Sequence, residues 1–324
     1  MRVVFAGLAH SHPFSDAENI RSLGGEVAGV HDVDPARAEE FAARFGGRVV
    51  ADVAELPVLR PDLVIATPRP DEAMTVGHAL VGRAPVFLNK VAAADETRLR
   101  EWDALVAGRR DGSAAPLFGT ASVLRFAPAL TALVADVRGA VVLSVRVLAQ
   151  HDAASFRLAG RAWQDDPTVG GGTAVTVGIH AWEMVDRILP GAVLGAGTGW
   201  TRASALPGAR SEDVAGIAAV LHVPGRAEPV PVHAVIGGVP GDDAYALEIV
   251  TDRGVRTLGL AAAASGGGAE SRADPRRQLG FEGLIRQLAA DVPHGRMTAP
   301  WAQARTVVAN SIRAAALARG GRPA

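Results

Sequence analysis

Cysteine is absent from this chain of 324 residues, and lysine occurs only once, at position 90. Without a thiol the chain can have no disulfide, thiolate metal site or cysteine nucleophile, and its redox compartment stays open. All other basic side chains besides histidine are arginines, which remain protonated under ordinary conditions. A lysine differs because burial can lower its pKa until it exchanges a proton. Lys90 is therefore the first candidate for catalysis, and a chance surface lysine is the alternative.

The chain also lacks a strong excess of charge, since its net charge is −1. Its arginines are interleaved with acidic residues and have no aromatic ladder beside them, which argues against a nucleic-acid partner. No apolar run approaches the length of a membrane span, and the N-terminal run is too short for a secretory signal. We therefore expect a cytoplasmic protein without a membrane or nucleic-acid partner.

Apolar runs typical of buried strands alternate with helical patterns through residues 1–119. This alternation predicts a parallel, doubly wound sheet with its ligand crevice at the carboxyl ends of the strands. Gly7, Asp32, Thr67 and Lys90 all fall at such ends. Asp32 lies 25 residues after Gly7, where a dinucleotide fold binds the adenosine ribose hydroxyls. The turn itself keeps one of three expected glycines, so an ordinary strand-to-helix connection also remains open.

Residues 120–324 have a different pattern, in which strand-like runs are separated by turn signals such as Pro224-Gly225. It predicts a second α+β domain built on an open-faced, mainly antiparallel sheet. We expect one helix from about Thr173 to Ile188 and a closing helix at about 300–318. The chain thus divides into a dinucleotide-binding domain at 1–119 and a second domain at 120–324.

The first of these helices carries Thr176, His180 and Glu183 at positions i, i+4 and i+7, so one face presents all three side chains. Histidine titrates near neutral pH and suits a general acid or base. A metal site is disfavoured, because threonine is a poor ligand and no second histidine lies at ligand spacing. A histidine that only satisfies the facing backbone is the structural alternative.

Several motifs agree in order and spacing with one family over most of the chain. They are Gly7 to His12, Ala66-Thr67-Pro68, Asn89-Lys90-Val91, Arg125-Phe126-Ala127-Pro128, Trp163 with Asp166-Pro167, and Gly170-Gly171-Gly172 leading to Thr176 and His180. In these motifs the sequence resembles the glucose-fructose oxidoreductase, inositol dehydrogenase and rhizopine catabolism family of nicotinamide-dependent oxidoreductases.

This resemblance implies a Rossmann domain that binds NAD or NADP and a second domain whose open sheet pairs subunits into a dimer or tetramer. It implies that Lys90 and His180 meet in the cleft between domains and move the proton while hydride passes between the nicotinamide and a substrate carbon. The implied cofactor contacts are Gly7, Ala9, His10, Asp32, Thr67, Pro68, Asn89 and Lys90. Arg125, Trp163, Thr176 and Glu183 are candidate substrate contacts, although structural roles suit Arg125 and Trp163 as well.

Beyond the glycine turn, the sequence departs from the family pattern at four positions, one of which is Glu72, where a histidine is frequent. Asn89 replaces a glutamate, Val91 replaces a proline, and Thr176 replaces an aspartate, so a charge partner for His180 would have to be Glu183 or Asp186, or come from the substrate. Asp32 favours NAD because a carboxylate repels a 2′-phosphate, while Arg37 keeps NADP open.

The leading hypothesis is an NAD-dependent dehydrogenase or reductase of a sugar, cyclitol or related polyol or keto-sugar. Two others remain. One is an enzyme that cleaves a glycosidic bond with bound NAD, and the other is a non-catalytic dinucleotide-binding regulatory or scaffold protein.

Overall fold

The computed structural model describes residues 1–109, 115–203, 208–261 and 275–320. Contacts within this chain define two compact units. The first comprises Met1–Ala121 and Phe281–Ala304, and the second comprises Ser122–Gly280 and Arg305–Ala324. In the described part of the chain, every helix is too short or too polar to cross a membrane.

The first unit is a six-stranded sheet with helices. Its elements are β1 (Arg2–Ala6), α1 (His12–Ser22), β2 (Glu26–His31), α2 (Pro35–Phe45), β3 (Arg48–Val49), β4 (Leu63–Ala66), α3 (Ala73–Leu80), β5 (Val86–Asn89), α4 (Glu96–Gly108) and β6 (Phe118–Ala121). The strand order is β3-β2-β1-β4-β5-β6, and every pair is parallel. The predicted doubly wound Rossmann sheet is confirmed.

Local sequence explains how these elements begin and end. Strands β4 and β5 are buried along their whole length, as parallel strands between helix layers must be. Helix α2 begins where the Asp34 side chain accepts a hydrogen bond from the Ala36 backbone N–H, with Pro35 at its first position. Phe41 and Phe45 of α2 face the core, where Phe41 packs against Phe5 of β1. The strand ends that carry the candidate residues are thus fixed by a continuous core.

The second unit contains a six-stranded mixed sheet. Its elements are α5 (Pro128–Asp136), β7 (Val142–Gln150), α6 (Thr173–Thr176), α7 (Gly178–Ile188), β8 (Val193–Arg202), β9 (Val214–His222), β10 (Val230–Gly237), β11 (Ala244–Thr251), β12 (Gly254–Ala261) and α8 (Pro275–Gln278). The order is β12-β11-β7-β10-β9-β8, in which β7 and β10 are parallel and the other pairs antiparallel. The expected open-faced, mainly antiparallel sheet is confirmed.

The C-terminal stretch is shared between the units. Helix α9 (Phe281–Asp291) belongs to the first, and α10 (Trp301–Ala318) begins there and ends in the second. Sequence reasoning assigned all of residues 120–324 to the second domain, whereas residues 281–304 pack with the first unit. The Trp301 side chain explains this difference. Its ring lies 5.6 Å from that of Phe118, and its indole N–H donates to Asp103 Oδ1 at 3.0 Å.

The helix expected from about Thr173 to Ile188 is two helices, α6 and α7, which are interrupted at Val177. Thr176 therefore ends one helix, while His180 and Glu183 lie on the next, and Val177 between them keeps right-handed helical dihedral angles. The Thr176 hydroxyl donates to the Gly172 carbonyl at 2.8 Å and closes the short α6 turn.

Candidate active site

The turn after β1 is tied to both neighbouring strands. The Gly7 N–H donates to the His31 carbonyl at 2.7 Å, and the Ala9 N–H donates to the Thr67 carbonyl at 2.9 Å. Gly7 has a φ of +85°, and a Cβ at this position would lie 2.7 Å from the Pro68 nitrogen. Only glycine fits so close to the end of β4. Packing against the end of β4 therefore requires the first glycine of the motif.

Histidines occupy the rest of this turn. The His10 ring is buried and lies edge-on to the His12 ring, with centroids 4.4 Å apart. The His12 ring in turn contacts Phe281 of α9, with centroids 4.8 Å apart. Position 12, where the dinucleotide-binding motif has its third glycine, thus accommodates a bulky ring because the first unit supplies an aromatic partner for it.

Asp32 follows β2 and holds the same turn. Its Oδ2 accepts the Leu8 N–H at 2.6 Å, and its Oδ1 accepts the Asp34 N–H at 2.9 Å. A carboxylate has about four lone-pair sites, so both oxygens keep acceptor capacity for ribose hydroxyls. The Arg37 guanidinium donates to the Leu8 carbonyl at 3.2 Å, which places a positive charge at this turn. The donor and acceptor set fits the adenosine end of a dinucleotide.

Asn89, the last residue of β5, belongs to a buried network that sequence reasoning missed. Its amide nitrogen donates to Thr67 Oγ1 at 2.8 Å and to Asp16 Oδ2 at 3.2 Å. Asp16 lies on α1 and is fully buried. Burial raises the pKa of Asp16 to about 7, although the hydrogen bond from Asn89 opposes this rise. A sequence signal existed, because Asp16 stands four residues before the buried Ile20 and so on the apolar face of α1.

The raised pKa of Asp16 gives a testable prediction. Between about pH 4 and pH 7 the folded state holds the Asp16 proton and the unfolded state does not, so stability falls as the pH rises through this window. The isosteric Asp16→Asn variant has no carboxyl group to ionise, so its stability does not fall in this way. We expect its free energy of unfolding to exceed that of the parent by up to about 4 kcal/mol above pH 7 and to match it near pH 4. Urea denaturation at both pH values measures this.

The exposed Asp71, which pairs with Arg69, supplies the matched control. Asp71→Asn should change stability little at either pH. An Asp16→Asn variant that is no more stable than the parent at pH 8 would contradict the assigned pKa.

Lys90 directly follows the network, at the carboxyl end of β5. It is 8% exposed, and the peptide bond between Lys90 and Val91 is cis. Its chain neighbour Asn89 is anchored to Thr67 and Asp16 by the hydrogen bonds described above. The strand-end residues Gly7, Asp32, Thr67 and Lys90 belong to one edge of the parallel sheet, as the topology requires.

In the second unit, His180 lies on α7 and is 3% exposed. Its Nδ1 lies 2.6 Å from the hydroxyl oxygen of Ser122. The Ser122 backbone N–H donates to Glu183 Oε2 at 3.0 Å. Glu183 is thus linked to His180 through Ser122, a residue that sequence reasoning did not select. No local pattern could have identified Ser122, because 58 positions separate it from His180.

Glu183 also belongs to a buried ionic cluster. The Arg125 guanidinium donates to Glu183 at 2.5 Å and to Asp186 at 3.0 Å, and all three side chains are at most 8% exposed. Burial raises the pKa of Glu183, while the charge of Arg125 opposes the rise. Arg125 and Glu183, both candidates for substrate binding, are therefore engaged with each other inside the second unit.

Trp163 and Thr176 are the remaining candidates. Trp163 is 8% exposed, and its indole N–H has no hydrogen-bond partner within the described residues. A buried indole N–H ordinarily finds an acceptor, so a substrate oxygen would suit it. Thr176 is buried and its hydroxyl is already bonded to the backbone.

A second histidine lies near His180. The His151 and His180 rings have centroids 6.5 Å apart, and the Tyr245 ring lies 5.3 Å from that of His180. His151 Nδ1 is 2.7 Å from Asp243 Oδ1. Sequence reasoning missed this group, which falls where β7 ends and β11 begins. Across the described ranges, no group of three or more histidine or carboxylate side chains could hold a metal ion.

Comparison with known proteins gives matches by structure. No family model matches this sequence, and no curated protein matches it. The solved structure of GenD2 from gentamicin A biosynthesis, in complex with NAD, is 22% identical with a TM-score of 0.76, over 99% of this chain and 95% of that one.

Two inositol dehydrogenases match at similar scores. The myo-inositol dehydrogenase from Corynebacterium glutamicum is 17% identical with a TM-score of 0.77, over 100% of this chain and 99% of that one. The scyllo-inositol dehydrogenase from Lactobacillus casei, with bound NAD(H) and scyllo-inositol, is 14% identical with a TM-score of 0.75, over 99% and 96%. The chain therefore has the fold of the inositol dehydrogenases and related oxidoreductases.

Proposed function

We propose that this protein is an NAD(P)-dependent oxidoreductase that acts on a sugar, cyclitol or related polyol or keto-sugar. The observation that carries the proposal is the pair of hydrogen bonds by which Asp32 joins the end of β2 to the turn after β1. In a parallel doubly wound sheet this is the position of the ribose-binding carboxylate. The neighbours named above support it, since two of them were solved with NAD or NAD(H) and one with scyllo-inositol.

The cofactor contacts in this proposal are the residues that surround the first strand ends. Gly7, Ala9 and His10 would line the turn, Asp32 would bind the ribose, and Thr67, Pro68 and Asn89 would flank the nicotinamide side with Lys90. When bound, the nicotinamide supplies or accepts the hydride. Asp32 favours NAD over NADP because its charge repels a 2′-phosphate, and Arg37 leaves NADP binding open.

The proton-handling residues in the proposal are Lys90 and His180. A lysine ammonium that is largely excluded from water can give its proton to a developing alkoxide, and a histidine side chain in its imidazolium form can do the same near neutral pH. The unpartnered indole N–H of Trp163 is the best-supported substrate donor. A hydroxyl-rich substrate suits a site that combines such donors with imidazoles and carboxylates.

Fluorescence titration tests the proposal. The chain has five tryptophans, which can be excited while energy transfer to a bound reduced nicotinamide is recorded. We expect saturable binding of NADH, weaker binding of NADPH, and loss of NADH binding in Asp32→Ala. Absence of binding by both cofactors would refute the proposal. If NADH binds, the next step is a screen of polyols with NAD and of keto-sugars with NADH.

A second candidate, a non-catalytic dinucleotide-binding protein, is favoured by one observation. Asn89 and Thr176, which replace acidic residues of the family motifs, are both engaged in internal hydrogen bonds. Amine modification separates the two functions, because Lys90 is the only lysine. Modification near neutral pH that NADH prevents would support catalysis, whereas modification only in alkali and without protection would support the second candidate.

We also propose that the open face of the second sheet pairs two copies of this chain. Leu148, Val235, Gly216 and Trp200 form one row across four adjacent strands, and Trp200 is 54% exposed. An apolar row of this kind on a sheet face is typical of a protein interface. Val235→Glu should shift the mass measured by light scattering to that of a smaller species. The exposed Val58 of the first unit gives the control, since Val58→Glu should leave the mass unchanged.

A further inference from the structure

The Ser122 hydroxyl lies within hydrogen-bond distance of His180 in the second unit. Ser122 is fully buried, and its Oγ lies 2.6 Å from His180 Nδ1. The same oxygen accepts the Leu124 N–H at 3.1 Å, which caps the short 3₁₀ turn at Val123–Phe126. One lone pair of the hydroxyl is therefore already occupied by a backbone donor.

The direction of the bond to His180 follows from this capping. A serine hydroxyl has one hydrogen to donate, and leaving it unsatisfied in a buried place costs free energy. His180 Nδ1 is the acceptor that lies within reach of it. If Nδ1–H donated instead, the hydroxyl oxygen would accept two hydrogen bonds and its own hydrogen would need another acceptor.

We propose that Ser122 is a positioning residue that sets the tautomer of His180. The hydroxyl donates to Nδ1, so the neutral imidazole carries its proton on Nε2. The backbone of Ser122 is held in turn by Glu183, whose other oxygen is bound by Arg125. Ser122 thus fixes the His180 ring through Nδ1.

The consequence for chemistry rests on the proposed function. An imidazole that is protonated on Nε2 in its neutral form is a hydrogen-bond donor, which suits a carbonyl oxygen that gains negative charge as hydride arrives at its carbon. In the reductive direction the C=O double bond becomes a C–O single bond, the hydride comes from the reduced nicotinamide, and the proton comes from the Lys90 ammonium, while neutral His180 donates only a hydrogen bond to the oxygen. With His180 neutral, its Nε2–H can therefore stabilise the developing oxyanion of a ketone but cannot accept a proton at Nε2.

Long-range proton–nitrogen NMR of protein labelled in histidine tests the tautomer without any substrate. We expect the His180 ring of the parent to be the Nε2–H tautomer at neutral pH and Ser122→Thr to retain it, because threonine keeps the hydroxyl. Ser122→Ala should shift the ring toward Nδ1–H or toward a mixture. The assignment comes from the signals that disappear in His180→Gln.

Ser311 offers a matched control, since it is equally buried in the second unit and its hydroxyl donates to the Val175 carbonyl. Ser311→Ala should leave the His180 signals unchanged. An Nδ1–H ring in the parent protein, or an unchanged tautomer in Ser122→Ala, would overturn the inference. If Ser122→Ala does not fold, the His180 tautomer in the spectra of the parent and of Ser122→Thr still tests the inference.

Activity gives the second readout and separates this inference from the proposed function. If a keto-sugar substrate is found, Ser122→Ala should lower kcat about tenfold or more with KM little changed, and Ser122→Thr should recover most of it. If neither cofactor binds, the proposed function fails, yet the NMR result for Ser122 and His180 stands on its own.

Discussion

Replacing Lys90 with methionine is expected to lower turnover about 10²- to 10⁴-fold, while NADH still binds. Methionine keeps the length and apolar stem of the side chain and removes the proton. The loss should therefore appear in kcat rather than in the dissociation constant for NADH from the fluorescence titration. Steady-state kinetics of the parent and variant on the identified substrate provide the measurement.

Lys90→Arg separates charge from proton transfer. Arginine keeps a positive charge but does not release its proton under ordinary conditions. If Lys90 supplies only charge, this variant should retain much of the activity, and if Lys90 moves the proton it should be nearly as impaired as Lys90→Met. Full turnover in Lys90→Met would remove Lys90 from the mechanism.

Replacing Arg125 with leucine should cost about 3–5 kcal/mol of stability, because it leaves Glu183 and Asp186 buried without their counter-charge. The effect is large because the three side chains are almost fully excluded from water. Urea denaturation at neutral pH measures the free energy of unfolding.

The exposed pair between Arg98 and Glu101 is the control for this prediction. Arg98→Leu removes an ion pair of similar length at the surface and should cost less than about 1 kcal/mol. Equal costs for the two variants would show that burial of the Arg125 cluster is not what makes it important.

Much of the fold follows from the sequence. Strand β1 at Arg2–Ala6 belongs to the stretch in which apolar runs predict alternating strands and helices, and it ends before Gly7, whose positive φ favours glycine. The closing helix was predicted at about 300–318 and spans Trp301–Ala318. The break at Val177 was not predicted, because the apolar pattern of α6 continues into α7 without a proline to mark an end.

Only part of the candidate site could be predicted from the sequence. Residues at the ends of parallel strands could be selected because topology brings such ends to one edge of the sheet, as for Asp32 and Lys90. Ser122 and Asp16 could not be selected so directly, because their partners His180 and Asn89 lie 58 and 73 positions away. Distances of that kind depend on the packing of whole elements, which local patterns do not encode.

The division of the first unit into two separate stretches has a consequence for synthesis on the ribosome. The edge strand β6 is completed by Ala299, whose carbonyl accepts the Thr120 N–H at 3.1 Å, and the ring cluster of Trp102 and Phe118 is completed by Trp301. Those residues emerge roughly 180 positions after the end of β6, a delay of about 10 to 40 seconds at ordinary translation rates. Until then, the nascent N-terminal segment lacks part of its own core and must either wait incompletely folded or be shielded by a chaperone.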